Sequence, residues 1–233
     1  NSNAASGLLE DWNTKTPSGK NLSVSGIWSA ERENNVYLVA VDKAGNQSAV
    51  TPVGKVMIDK TKPVITSTTN SSNSSWTNQN VTITANATDA RSGVNNIYYT
   101  YSASTSATRY SDWNSNSKTS VSGIWSAQRD NTVYIVAIDN AGNMSDFKSA
   151  GSVRIDKTLP VISSIYNPTG GNATATGFSL TLNGSDSGGS GINKWRYTYK
   201  SNSGWIDYAN SNKSPFVTTK FTAQRNQPVY ISL

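Results

Sequence analysis

The residues able to do chemistry in this 233-residue chain are mainly carboxylates, because it contains neither histidine nor cysteine. Ser-His and Cys-His nucleophile systems are therefore absent, as are disulfides and thiolate metal sites. Asp59 and Asp156 stand in junction-like segments, and Asp89 and Asp139 stand in turn-rich loops beside Ser92 and Asn143. Oxygen donors of this kind suit Ca2+, which takes six to eight oxygens, and an ion there would stiffen the chain. The dense Asp-x-Asp-x-Asp spacing of a dedicated calcium loop is missing, which favours a plainer reading in which Asp and Asn bond to their own turns. No cofactor is otherwise expected.

Recurrence argues against catalysis. Asp42 has a counterpart in Asp139, Asp59 in Asp156, Asp89 in Asp186, Glu33 in Asp130, and Asp11 in Asp112 and Asp207. A catalytic group has no reason to return in every structural unit, and no glycosidase-type carboxylate pair stands apart from the repeat. Glu10, Glu31 and Asp146 lack acidic counterparts, and Glu31 falls where later units carry Gln128 and Gln224. The chain reads as a non-enzyme.

The recurrence is extensive. Val36 to Asn46, Val-Tyr-Leu-Val-Ala-Val-Asp-Lys-Ala-Gly-Asn, returns as Val133 to Asn143, Val-Tyr-Ile-Val-Ala-Ile-Asp-Asn-Ala-Gly-Asn. Ser25-Gly26-Ile27-Trp28 returns as Ser122-Gly123-Ile124-Trp125, and Ile58-Asp59-Lys60-Thr61 as Ile155-Asp156-Lys157-Thr158. The period is one small domain, which divides the chain into a partial unit over 1–61, a complete unit over 62–158 and a unit over 159–233 truncated before its last strand. The first piece, holding half a sandwich, is expected to pack poorly unless something completes it. The opening Asn1-Ser2-Asn3 lacks an initiator Met and reads as an excerpt of a longer protein.

Within the complete unit, short β-branched and aromatic runs separated by turn residues predict seven strands. They are expected at Val64–Ser67, Val81–Ala87, Ile97–Ser102, Tyr110–Trp113, Val121–Ala127, Val133–Asp139 and Ser152–Asp156. That is the pattern of an all-β sandwich. An acid or polar residue four positions before a Tyr resembles a tyrosine corner: Glu33 and Tyr37, Asp130 and Tyr134, Asn226 and Tyr230. In Asp-x-Ala-Gly-Asn, Asp42 and Asp139 are expected to open a type I turn that Gly45 and Gly142 close with positive φ.

Together these motifs resemble the bacterial immunoglobulin-like (Big-type) tandem repeats of secreted and cell-surface proteins. Asp89-Ala90-Arg91-Ser92-Gly93-Val94, the Val133–Asn143 run and the closing Ile155-Asp156-Lys157-Thr158-Leu159-Pro160 carry the likeness. It implies tandem immunoglobulin-like, fibronectin-III-like β-sandwiches serving as a non-catalytic spacer in a bacterial extracellular or cell-surface, adhesin-like protein. The partners implied are flanking Ig-like domains, and the short proline-bearing junction would restrain bending. Similar repeats also occur as accessory modules of carbohydrate-active enzymes and as phage or virion surface decorations, so a glycan- or host-ligand-binding module stands as the alternative.

For that alternative, aromatic faces are the candidates, since they stack on sugar rings. Repetition assigns Trp28, Trp125 and Phe221 to one core position and Trp12, Trp113 and Tyr208 to another. Trp76, Tyr98, Trp205, and Trp195 in the place of Ile97, remain for a glycan platform. The formal charge of +6 comes from 20 basic residues without a dense tract, which does not describe a nucleic-acid surface. No apolar run is long enough to span a bilayer. A Lys, an Asn and a carboxylate suited to an isopeptide crosslink are not found together, and the Asn-x-Ser/Thr triplets at Asn70, Asn73, Asn80 and Asn86 follow from composition.

Overall fold

The computed structural model describes residues 14–18, 21–104, 111–112, 119–200, 203–208, 212–222 and 227–233. Among them the chain is all-β. The N-terminal part forms two hairpins, β1 (Thr14–Ser18) with β2 (Asn21–Ser25) and β3 (Arg32–Leu38) with β4 (Thr51–Ile58). The central part holds β5 (Val64–Asn70), β6 (Trp76–Thr77), β7 (Val81–Thr88), β8 (Val94–Thr100), β9 (Ser111–Asp112), β10 (Ser120–Trp125), β11 (Arg129–Asp139) and β12 (Lys148–Ile155). The C-terminal part holds β13 (Val161–Tyr166), β14 (Thr181–Ser185), β15 (Arg196–Thr198), β16 (Ile206–Asp207), β17 (Phe216–Val217) and β18 (Tyr230–Ser232).

In the central part a three-stranded sheet, ordered β10-β7-β5, packs on a five-stranded sheet, ordered β6-β12-β11-β8-β9. The packing follows from period-2 alternation. Val81, Ile83, Ala85 and Ala87 of β7 point inward at 2% exposure or less, and meet Val133, Ile135 and Ala137 of β11 and Val153 and Ile155 of β12, all fully buried. Trp125 fills one end of this core, with its Nε1–H donating to the Tyr101 hydroxyl at 2.9 Å. Seven of the eight strands lie where turn signals and alternation place them, apart from shifted ends; Tyr110 and Trp113, at the edges of the expected fourth strand, lie outside the described residues. The eighth, Trp76–Thr77, has no strand-like length, and forms because it runs parallel to Arg154–Ile155 at the sheet edge.

The C-terminal part repeats the plan with sheets β13-β14-β17 and β16-β15-β18 around a separate core of Leu180, Leu182, Trp195, Tyr208 and Phe216. The ring of Tyr208 stacks on Tyr197 with centroids 4.7 Å apart, and burial raises its hydroxyl pKa. In the N-terminal part the counterparts of core residues are only half-buried: Val36, Leu38, Val56 and Ile58, against fully buried Val133, Ile135, Val153 and Ile155. The same local sequence thus makes the same hairpin with much less apolar surface covered.

Candidate functional site

The repeated linker Ile-Asp-Lys-Thr leaves the last strand of one part and enters the first strand of the next, β4 to β5 and β12 to β13. Asp59 caps its own turn, Oδ1 accepting the Thr61 N–H at 2.9 Å. Its other oxygen reaches forward into the central sandwich and accepts the Ser92 N–H at 2.9 Å, while its carbonyl accepts from Asn143 Nδ2 at 3.0 Å. The Thr61 hydroxyl donates back to Glu31 Oε1 at 2.8 Å, and Glu31 forms an ion pair with Arg91.

The second junction repeats this arrangement. Asp156 accepts the Thr158 N–H at 2.9 Å on Oδ1 and the Ser190 N–H at 3.0 Å on Oδ2. The Thr158 hydroxyl donates to Gln128 Oε1 at 2.8 Å, and Gln128 Nε2 donates to the Gly188 carbonyl at 3.3 Å. A Cβ at Gly188 would collide with the Asp156 carboxylate, so only glycine permits this approach, and the Trp76 ring lies against Gly189. Hydrogen bonding from Ser92 holds the Asp59 carboxyl below the ordinary carboxylate range, and Ser190 does the same for Asp156. Glu31, Gln128, Thr61, Thr158 and Gly188 were not among the expected site residues. Recurrence at matching positions was the available signal for Thr61 with Thr158 and for Glu31 with Gln128, whereas Gly188 lies in a turn longer than its counterpart and has no repeated glycine; what they bond to depends on two parts of the chain meeting.

Three of the four aspartates expected as calcium ligands meet at the first junction. Asp59, Asp89 and Asp139 each contribute an oxygen, all within 4.8 Å of one another. Asp139, wholly buried, accepts from Ala141 N and Asn143 N on Oδ1 at 2.9 and 2.8 Å, and from Asn143 Nδ2 on Oδ2 at 2.8 Å. Gly142 closes this turn at φ 92°, where a side chain would be strained, and Asp42 with Gly45 at φ 91° builds the same turn in the N-terminal hairpin. Asp89 Oδ1 accepts from Arg91 N and Gly93 N at 3.0 and 2.7 Å. The turn-capping reading and the cation reading are thus both compatible with the geometry. Asp156 lies apart, at the equivalent place in the second junction, where Asp186 supplies a neighbouring carboxylate and bonds Ser190 and Gly191.

The four aromatics expected for a glycan platform are placed differently from one another. Trp195 is fully buried, with Nε1–H donating to the Lys213 carbonyl at 3.0 Å, and so cannot offer a face to a ligand. It occupies the inward position that Ile97 fills in the central unit. Half-buried Trp76 belongs to the second junction, while half-buried Tyr98 and Trp205 lie in different sandwiches. The acids before the tyrosines also bond elsewhere. Asp130 pairs with Arg154 at 3.1 Å and Glu33 with Lys55, both across the sheet. Residues four apart in one strand are roughly 13 Å from each other, so Asp130 cannot reach Tyr134 within β11, nor Glu33 reach Tyr37 within β3. Tyr230 is 40% exposed, and Asn226 lies outside the described residues.

No family model matches the chain, and no curated protein does. Among solved structures it is similar to the Bacteroides ovatus mixed-linkage glucan utilization locus protein SGBP-B, in complex with a mixed-linkage heptasaccharide, with 14% identity and a TM-score of 0.22. That match covers 94% of this chain and 57% of the other, so this chain spans a little over half its length. No helix among the described residues is long and apolar enough to cross a membrane.

Proposed function

We propose that this chain is a non-catalytic structural module: tandem immunoglobulin-like sandwiches held end to end by locked junctions, serving as a spacer in a bacterial extracellular or cell-surface protein. One observation carries the reading. The same set of contacts, linker Asp to linker Thr and to the next unit's Ser, with linker Thr returning to Glu31 or Gln128, is built at both junctions. A freely jointed linker would have no use for it. For the glycan-binding alternative, Trp76, Tyr98 and Trp205 remain half-buried.

Asp156→Ala tests the lock. The substitution removes the acceptor for two N–H groups, each hydrogen bond contributing about 0.5–1.5 kcal/mol net. In chelator-containing buffer, small-angle scattering should show a broader distribution of extents than the parent chain, with both sandwiches still folded by circular dichroism. An unchanged distribution would remove the lock from the account.

The junctions should also loosen in acid. The carboxyls of Asp59 and Asp156 titrate below their ordinary value of 3.8 because hydrogen bonds favour the charged form. A lowered folded-state pKa contributes stability that is present above the unfolded value and lost as pH falls through the folded one. Scattering profiles should therefore superpose from neutral pH down to the ordinary value and broaden only below it. Broadening that begins near neutrality would point to another cause.

A further inference from the structure

The outward face of the sheet β16-β15-β18 carries charge that repetition does not account for. Trp195 and Tyr197 turn into the C-terminal core, so alternation puts Lys194, Arg196, Thr198 and Lys200 on the opposite side. Thr198 pairs with Tyr230 on one flank. On the other flank, the pairings of Tyr197 with Ile206 and of Lys200 with Ser203 share one register and set Trp205 across from Thr198. Although it faces outward, Thr198 is only 2% exposed, with an aromatic residue opposite it on either side; Trp205 is half-buried and Tyr230 exposed.

Three cations share this face with one acid. Lys194 and Arg196 both pair with Asp207, Arg196 through Nη2 at 3.1 Å. Hydrogen bonding from Lys194, then from Arg196, holds the Asp207 carboxyl below the ordinary carboxylate range, so it stays an anion at neutral pH. Arg196 Nε donates to the same carboxylate at 3.2 Å, which leaves Nη1 without an acceptor among the described residues, and Lys200 stands exposed. In the central sandwich the positions of Lys194, Arg196 and Lys200 are held by Asn96, Tyr98 and Ser102, whereas Thr198 and Tyr230 recur as the paired Thr100 and Tyr134. The scaffold repeats and the cations do not.

We propose that Trp205, Tyr230, Arg196 and Lys200 form a binding face for a chain of acidic, uronate-bearing sugars. The two aromatic residues stand two strand spacings apart, roughly 9–10 Å, which suits an elongated ligand laid across the sheet. Aromatic faces stack on sugar rings, and the free guanidinium edge and the ammonium meet carboxylates in charge-assisted hydrogen bonds. The excess of cations over Asp207 favours an anionic chain over a neutral one. Neither junction takes part in this face, so it stands or falls apart from the spacer reading.

The test is isothermal titration of the chain with hexagalacturonate, with cellohexaose as the neutral hexamer and a single-stranded DNA oligomer as a polyanion without uronates. The parent should bind hexagalacturonate saturably below about 10 mM, and cellohexaose and DNA about tenfold more weakly or worse. Binding should weaken as NaCl rises from about 0.05 to about 0.5 M, because exposed charges are screened over about 10 Å at 0.1 M. Trp205→Ala should lose about tenfold or more, as central aromatics of binding faces do. Lys200→Glu, exposed and outside the core, keeps the comparison available should the first variant misfold, and should lose about threefold or more. No saturable binding by the parent up to about 10 mM would overturn the proposal, as would cellohexaose or DNA bound as tightly as hexagalacturonate, or parent-like affinity in a folded variant.

Discussion

Replacing Trp195 with alanine is expected to unfold the C-terminal sandwich while the central one stays folded. The core in question is small: among the described residues only Leu180, Leu182, Tyr208 and Phe216 are buried beside the tryptophan. Truncating a buried Trp costs about 3–5 kcal/mol, because the lost transfer energy adds to that of an incompletely collapsed cavity. Losing the indole N–H also removes its bond to the carbonyl of exposed Lys213, a hydrogen bond contributing about 0.5–1.5 kcal/mol net. Small domains are stable by about 5–15 kcal/mol in total. Calorimetry should show the C-terminal transition lowered or lost and the central transition unmoved. A C-terminal transition at the parent's temperature would show that Trp195 does not hold that core. A merely ligand-facing tryptophan would leave both transitions in place, so the same measurement separates packing from glycan recognition.

Asp139→Ala should destabilise the central sandwich by about 2–3 kcal/mol, since it removes a wholly buried carboxylate that accepts from two backbone N–H groups and from the Asn143 amide, which keeps its bond to the Asp59 carbonyl; each partly buried donor left without an acceptor costs about 1–3 kcal/mol, and relief of repulsion from Asp59 and Asp89 offsets part. For a domain of this size that is a fall in melting temperature of roughly 4–8 °C per kcal/mol. Asp42 makes the same three bonds, with closely similar lengths, in an exposed turn. Water can replace the lost acceptor there, so Asp42→Ala should cost well under half as much. Equal losses for the two variants would contradict the argument that burial, rather than the turn itself, sets the cost. Asp139→Asn should recover part of the stability because one oxygen still caps the turn.

The features legible in the sequence are those that short-range physics encodes. Alternation along Val81 to Ala87 marks an inward face because successive strand residues point to opposite sides. Asp-x-Ala-Gly-Asn marks its turn because the carboxylate bonds groups two and four residues ahead, and Gly142 accepts a φ that other residues resist. Trp195 was misleading only while treated as non-repeated. Its alignment with Ile97, itself fully buried, already pointed to the core. The acids before Tyr37 and Tyr134 were misleading because sequence spacing carries no information about the neighbouring strand, where Lys55 and Arg154 stand.

From the sequence alone came the repeat, the all-β class, most of the central strands and the small set of recurring aspartates. Tertiary structure alone decided which of those aspartates meet. Asp59, Asp89 and Asp139 are far apart along the chain and become neighbours only because the linker folds back against two loops of the following sandwich. Tertiary structure likewise placed Trp76 against Gly189 and made Gly188 indispensable to the approach of Asp156. Turns and strands arise from interactions between residues a few positions apart, whereas a junction arises from the path of the whole chain, and that path becomes visible only once the sandwiches on either side have closed.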